Sequence, residues 1–367
     1  MKILQISSEK AWRGGEQQIA YLINELSEHK AEVMVACRKG SAFEEYCERM
    51  KIPYKSLPFR NSMDIASARQ LKKLCSEWKP DLIHVHSSKG YGITWLADLM
   101  GLRVPIILSR RVAFNVKGNF INKLKYNHSR LRKIICVTEA VRQEILPLVS
   151  DKDKTCVVYS GIDNALFNPD NKINFLKTQY NLPETAFLIG TTAAFTKEKD
   201  YRTFFRTAQH VLQSLPGEPI IFLAIGEGPE KQEMQEFCKA LKIEEKVCFT
   251  GFVPKAGQFI HELDIFLFTS RNEGLGSSIL DAFASCLPVV STAAGGIPEI
   301  VEHEKTGLLA APGDYLTLSQ AIQRLYQSPD LRKKFAKNAH QVVKGFDKKI
   351  TAQKTIEIYS KALHEFN

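Results

Sequence analysis

Two carboxylates, Glu273 and Asp281, lie eight residues apart in the run Ser270-Arg-Asn-Glu-Gly-Leu-Gly-Ser-Ser-Ile-Leu-Asp281. The apolar stretch Ile265 to Phe268 just before them reads as a buried strand, and Ser277 to Ser285 as the helix that follows. The turn Gly274, Leu275, Gly276, Ser277 then leads into helix N-terminal amides that have no intrahelical partner, a ready seat for phosphate. Glycine lets the backbone approach such a group closely. Glu273 falls at the mouth of this cradle and Asp281 one to two turns into the helix. An anion cradle flanked by two groups able to hold hydroxyls suits a ligand that joins phosphates to a sugar. Each acid also has a plainer reading: Glu273 as a helix-start acid facing the macrodipole, Asp281 as a solvated helical residue.

Other chemistry-bearing residues are sparser. His84 and His86 flank Val85 on a strand and so share one face. Metal ligation by the pair is sterically open, but no third ligand is evident nearby, so no metal is expected. Asp151-Lys-Asp153 has the D-x-D form of some metal sites, yet it lies in a polar turn far from the other candidates. Gly226-Glu-Gly228 begins like a dinucleotide fingerprint without the third glycine. No Ser/His/Asp or Cys/His set stands out.

The elements that must position these residues follow one rhythm. Strands are predicted at Lys2 to Ser7, Val33 to Cys37, Leu82 to His86, Pro105 to Ser109, Ile134 to Thr138 and Cys156 to Tyr159. Between them lie the amphipathic runs Glu16 to His29 and Ile65 to Trp78, with Trp-Arg-Gly-Gly as a turn before the first. After a turn-rich break at Tyr159 to Asn171 the rhythm restarts. Strands are expected at Phe187 to Thr192, Ile220 to Ile225, Val247 to Thr250, Ile265 to Phe268, Pro288 to Ser291 and Gly307 to Ala310. Leu318 to Phe366 is mostly helical, with breaks near Pro329 and Gly345. This alternation predicts an α/β chain of two doubly wound, Rossmann-like domains, 1–165 and 171–346, with a ligand in the cleft at the strands' C-terminal ends. The last helix, about 347–367, is free to pack back on the first domain.

Bulk properties set limits. At 367 residues the chain suits two cores. Its eight cysteines form no C-x-x-C pair, and several sit in apolar runs, so buried thiols in a reducing, cytoplasmic setting are expected. The first apolar run is too short for a signal peptide, and no window has the length to span a bilayer. The net charge of +10 is lopsided: residues 1–170 hold 27 Lys/Arg against 18 Asp/Glu, and residues 171–367 hold 23 against 22. Leu99 to Thr138 holds nine basic residues and no acid. Arg110, Arg111 and Lys117 follow a strand, and Asn122 to Lys133 reads as a basic helix. An anionic partner is implied on that half: a phosphorylated or lipid-linked acceptor, or an anionic membrane leaflet touched peripherally. A solvated basic helix is the plainer account. No nucleic-acid motif accompanies the charge, so nucleic acid is not expected.

Taken in order, Gly226-Glu-Gly-Pro229, Phe249-Thr-Gly-Phe252, Asp264 to Ser270, Glu273-Gly-Leu-Gly276, Pro288-Val-Val290, Gly295-Gly-Ile-Pro-Glu-Ile300 and Thr306-Gly-Leu-Leu309 resemble the family-4 glycosyltransferases, retaining enzymes of the GT-B fold. Gly14-Gly15 and Asp81-Leu-Ile-His-Val-His86 extend the likeness to essentially the whole chain. The resemblance implies a nucleotide-sugar donor, UDP-linked in preference to GDP-linked, and a glycan or lipid-linked acceptor in lipopolysaccharide or other surface-polysaccharide synthesis. It implies no cofactor and no metal. Glu273 then lies near the donor sugar, His86 contacts that sugar, and Lys199 meets the diphosphate. Gly15, Gly274, Leu275, Gly276, Ser277, Phe252 and Glu227 join the donor site, and Asp281 holds the ribose. The family's usual acid at position 281 is glutamate, and its usual arginine before the lysine is here Ala194. Arg271, Arg110 and Lys197 are the candidates to replace that arginine. A nucleotide-sugar epimerase and a non-catalytic nucleotide-sugar binder stay open as other readings of the same fold.

Overall fold

A computed structural model describes residues 1–112, 120–167 and 174–364. The chain divides into two compact units, one of Met1–Gly161 together with the chain from Lys348, the other Ile162–Asp347. The first unit thus ends four residues earlier than the sequence rhythm suggests.

In the N-terminal unit seven strands pair in parallel: β1 (Lys2–Ser7), β2 (Glu32–Arg38), β3 (Tyr54–Leu57), β4 (Leu82–Val85), β5 (Ile106–Arg110), β6 (Leu131–Cys136) and β7 (Thr155–Val157). Their order is β3-β2-β1-β4-β5-β6-β7, so the winding reverses between β1 and β4. Nearly continuous burial of β1, β4 and β5 reflects helices on both faces, the condition for a parallel sheet. The edge strand β3 escaped sequence reading because in Tyr-Lys-Ser-Leu only Leu57 is buried, Lys55 being exposed and Tyr54 and Ser56 partly so.

Two local expectations are corrected. Gly14 and Gly15 form no separate turn; they open the helix Gly14–Glu28, with Arg13 as N-cap and Glu16 accepting a hydrogen bond from the Arg13 amide at 3.2 Å. Glycine is tolerated there because the first amides of a helix are unpaired in any case. The basic helix expected over Asn122 to Lys133 is only Phe120–Tyr126. Leu131 already enters β6, whose alignment with Ile106 and Ile107 buries Leu131 and Ile134, so Arg132 and Lys133 lie on a strand.

The Ile162–Asp347 unit holds β8 (Phe187–Thr192), β9 (Ile220–Ile225), β10 (Val247–Gly251), β11 (Ile265–Phe268), β12 (Val289–Thr292) and β13 (Gly307–Ala310). All pairings are parallel in the order β10-β9-β8-β11-β12-β13, with the reversal between β8 and β11. Its core is aromatic on one face: Phe195 stacks on Tyr201 at 3.9 Å, and Phe204 and Phe205 continue the cluster.

The closing helix Lys348–His364 belongs to the N-terminal unit. A Cβ on Gly161 would stand 2.7 Å from the Lys348 backbone, so only glycine lets the two crossing strands of chain touch. Gln18 fastens that point by bonding both the amide and the carbonyl of Gly161, at 3.0 and 2.6 Å. Farther along, Tyr359 is fully buried, and its hydroxyl lies 2.6 Å from His84 Nδ1 and 3.3 Å from Gln5 Nε2. Tyr359→Phe keeps the ring and strands a buried His84 nitrogen. It should lower stability by about 1–3 kcal/mol, read as an earlier denaturant midpoint. An unchanged midpoint would mean that the helix is held by apolar packing alone.

Candidate functional site

The reversal between β8 and β11 leaves the loops after these strands to diverge, and in this fold class such a point receives ligands. Here the loops are stitched together. Thr269, just past β11, donates its hydroxyl to the carbonyls of Lys199 and Asp200 at 3.1 and 3.2 Å. The Arg271 amide donates to the Glu198 carbonyl at 2.8 Å, and Arg271 Nε meets Asp200 Oδ2 at 2.7 Å. The stitch brings Lys199 and Glu273, 74 positions apart in sequence, into a direct ion pair. The Lys199 ammonium also lies 4.8 Å from the centre of the Phe268 ring, and Ser270 Oγ donates to the same Glu273 oxygen at 3.2 Å.

Glu273 is fixed from behind as well. Gly295 has φ +53°, and a Cβ on it would lie 1.9 Å from the Glu273 carbonyl oxygen, which also accepts from the Gly296 amide at 3.2 Å. No other residue fits at 295 without moving Glu273. Thr292 holds the Ser270 carbonyl at 2.6 Å. Gly274, Leu275 and Gly276 are buried, Gly276 takes φ +87°, and Ser277 begins the helix Ser277–Ala284. Ser278 ties that helix to the end of β8 by donating to the Thr192 carbonyl at 3.0 Å. Lys199, Glu273 and the Gly274–Ser277 turn are therefore one assembly. Gly295 is a member of it that sequence reading treated only as part of a motif; the tight Gly-Gly pair was its signal.

The other residues of this unit spread around the strand ends. Gly226 and Gly228 press the loop after β9 onto that after β8: a Cβ on them would meet the Ala193 carbonyl at 2.0 Å and the Phe195 backbone at 2.5 Å. Glu227 lies over Gly251 and pairs with Lys231, while Phe252 exposes 73% of its surface. Ala194 is exposed beside them. Of the cations considered as its replacement, Arg271 is engaged by Asp200, Lys197 is exposed in the same loop as Lys199, and Arg110 belongs to the other unit. Asp281 is half-buried on its helix, with Oδ2 3.8 Å from where a Gly257 Cβ would stand and the Phe167 ring against the same glycine. Burial alone lifts its carboxyl to about 7.

In the N-terminal unit the reversal between β1 and β4 gathers Gly15, His86 and Arg111. Ser8 and Ser87 hydroxyls join the two loops at 2.6 Å. Gln5 Nε2 donates to the Tyr359 hydroxyl, which leaves that hydroxyl to donate to His84 Nδ1 and His84 Nε2–H to donate to Ser109 at 2.8 Å. Gln5 Oε1 accepts from His86 Nε2 at 2.6 Å, so His86 Nδ1 accepts from Arg111 at 3.4 Å. Burial holds both imidazoles far below the ordinary histidine range, with Arg111 adding to the effect. They are neutral, and both nitrogens of each are engaged by protein groups. Among the described residues no group of three or more His, Cys, Asp or Glu could hold a metal.

Arg111 crosses Gly15, with its Cδ 3.9 Å from a Cβ built there, and reaches Ser160 at 3.4 Å. Burial lowers its guanidinium to about 10 despite the nearby Glu16, itself buried and shifted upward by that burial. Glu16 was missed by sequence reading, although its place two residues into a helix after Gly-Gly marks it. Arg110 is 5% exposed, gives Nη1 to Ser88 at 2.6 Å, and keeps a buried Nε without a partner. Lys117 lies outside the described residues.

Comparison with known proteins matches both halves. Residues 172–342 match the family described as Glycosyl transferases group 1, and residues 12–166 match Glycosyltransferase Family 4. The lipopolysaccharide core biosynthesis glycosyltransferase LpsD of Rhizobium meliloti is 22% identical over 352 residues, covering 95% of this chain and 96% of the relative. The N-acetyl-alpha-D-glucosaminyl L-malate synthase of Bacillus anthracis is 24% identical over 286 residues, 76% of this chain and 74% of the relative. Among solved structures, Anabaena HepE in complex with UDP and glucose superposes with a TM-score of 0.83 at 21% identity, covering 98% of this chain and 100% of that one.

The raised Asp281 carboxyl gives a test with a definite sign. Below about 3.8 the acid is protonated whether folded or unfolded and costs nothing. As pH rises toward about 7 the unfolded chain sheds a proton the folded state retains, so this residue subtracts stability progressively and fully above that point. Asp281→Asn should flatten the fall of stability between those values and gain on the order of 1–3 kcal/mol at alkaline pH. Parallel pH–stability curves for the two proteins would refute the assignment.

Proposed function

The chain belongs to the family-4 glycosyltransferases of the GT-B fold, and from that premise we propose that it moves a sugar, with retention at the anomeric carbon, from a UDP-sugar to a glycan or lipid-linked acceptor in surface-polysaccharide or lipopolysaccharide synthesis on the cytoplasmic side. The observation that carries this reading is the Lys199–Glu273 pair standing over the Gly274–Ser277 turn at the β8–β11 reversal. HepE, with UDP and glucose bound, supports a uridine donor, and LpsD supports the biosynthetic setting.

The pair divides into two tasks once a donor enters. The amides at Gly276–Ser278 and the helix behind them take the diphosphate, and Lys199 turns from Glu273 to the phosphate that will leave. As the glycosidic bond lengthens, negative charge grows on that phosphate and positive charge on the sugar ring. Once turned, Lys199 stabilises the first and Glu273 the second, each from a loop already held in place. The departing phosphate oxygen accepts the acceptor hydroxyl's proton on the same face, which leaves the configuration retained. Lysine and helix terminus together meet the diphosphate charge, so no metal is assigned.

Asp281 receives the ribose hydroxyls, and Phe252 and Glu227 flank the nucleotide. Arg110 and Arg111 suit an acceptor that bears an anionic group; the name of one relative, N-acetyl-alpha-D-glucosaminyl L-malate synthase, includes a dicarboxylate, L-malate. Because His86 is neutral and held at both nitrogens, its part is to shape the site and not to move protons.

Two measurements test this. A panel of UDP-, GDP- and ADP-sugars read by thermal unfolding should select the UDP series, a donor at about 100 times its Kd adding roughly 2.7 kcal/mol. Glu273→Gln should lower kcat by about 100- to 1,000-fold with donor affinity nearly kept, whereas Lys199→Ala should weaken donor binding as well. Full turnover by Glu273→Gln, or epimerisation of the donor without any acceptor, would overturn the reading.

A further inference from the structure

The short helix Phe120–Tyr126 turns an apolar face outward. Phe120 is 78% exposed, above any other large apolar side chain among the described residues, and Ile121 and Leu124 are 55% and 49% exposed. At the helical angle of about 100° per residue these three share one arc of roughly 100°, flanked by Lys123 on one side and Lys125 on the other.

The opposite face is firmly seated. Tyr126 is buried, with its ring 6.2 Å from Tyr91, and the Tyr91 hydroxyl bonds the Lys125 carbonyl. Asn127 clamps the helix end by donating to the Lys123 and Leu148 carbonyls at 2.7 and 2.9 Å and accepting from the Ser150 amide at 2.6 Å. The outward apolar face therefore sits on an ordered helix and is not a by-product of fraying.

Charge identifies what covers it. Asp98 takes Arg130 and His128, each at 2.9 Å, but among the described residues no carboxylate pairs with Lys123, Lys125 or Arg103. Lys123 is exposed and Lys125 lies 5.0 Å from the centre of the Trp95 ring, and rings and aliphatic side chains beside lysines that have no carboxylate partner match the boundary between lipid headgroups and acyl chains of an anionic bilayer. A second copy of the chain meeting this face across a two-fold axis would bring lysines against lysines.

We propose that Phe120, Ile121 and Leu124 insert at the surface of an anionic membrane, with Lys123 and Lys125 on the lipid phosphates. The inference needs neither a particular donor nor a lipid-linked acceptor, and its test does not involve turnover.

Co-sedimentation of the full chain with vesicles decides it, comparing phosphatidylcholine alone with phosphatidylcholine mixed with phosphatidylglycerol. Binding should appear only on the mixed vesicles and weaken with salt. Phe120→Ser with Leu124→Ser should reduce it at least about tenfold at an unchanged unfolding temperature, and Lys123→Gln with Lys125→Gln by roughly tenfold or more. The lysine variant keeps the test decisive if the serine variant misfolds. Equal binding to both vesicle types, no binding at all, or full binding by either well-folded variant overturns the proposal. So does a self-association in solution that the serine variant abolishes, which would make the face a contact between copies.

Discussion

Everything at the strand ends of the Ile162–Asp347 unit depends on how the loops after β8 and β11 are held together. Where a parallel sheet reverses its winding, the loops on either side leave in opposite directions, and nothing in the ladder itself keeps them near each other. Thr269 closes that gap by binding the Lys199 and Asp200 carbonyls, and Arg271 reinforces it through Asp200. Only with this closure can Lys199 lie beside Glu273. The pair in turn rests on Gly295, whose missing side chain lets the loop after β12 back directly against the Glu273 carbonyl. An ion pair held by backbone contacts on three loops is pre-positioned, which gives it electrostatic value in a reaction that separates charge.

The N-terminal domain solves a different problem with the same topology. Its reversal is filled by a buried polar chain from Tyr359 through His84, with Gln5 linking it to His86 and Arg111, in which both imidazoles are engaged at both nitrogens and the tautomers follow from the partners. A network this buried is favourable only when its members are satisfied, so the closing helix that supplies Tyr359 is part of the site's framework. Two cations, Arg110 and Arg111, remain with few polar partners, Glu144 acting on the first and Glu16 on the second. Buried guanidinium groups in such surroundings favour an incoming anion.

Much of this was legible in the sequence. Short apolar runs alternating with helical periodicity gave eleven of the thirteen strands within about two residues, because strands covered on both faces have few alternatives to continuous burial. β6 was placed about three residues late and β3 was missed. In each case pairing with a neighbour decides the strand: β3 borrows its order from β2, and β6 begins where Ile106 needs a partner. The same shift turned an expected basic helix into a short one with an apolar outer face.

Residue types and their spacing determined by themselves the two doubly wound domains, the glycine cradle and the acids around it. These are properties of local chain geometry: a helix start offers free amides, and a glycine pair permits a tight approach, whatever surrounds them. Only the tertiary structure decided that Lys199 neutralises Glu273, that both histidines are neutral and engaged, and that Asp281 is shifted to about 7 by burial. Each of these depends on desolvation or on a partner far away in the chain. Electrostatic energies change with the medium and the distance between groups, and neither quantity exists until the fold brings the groups together.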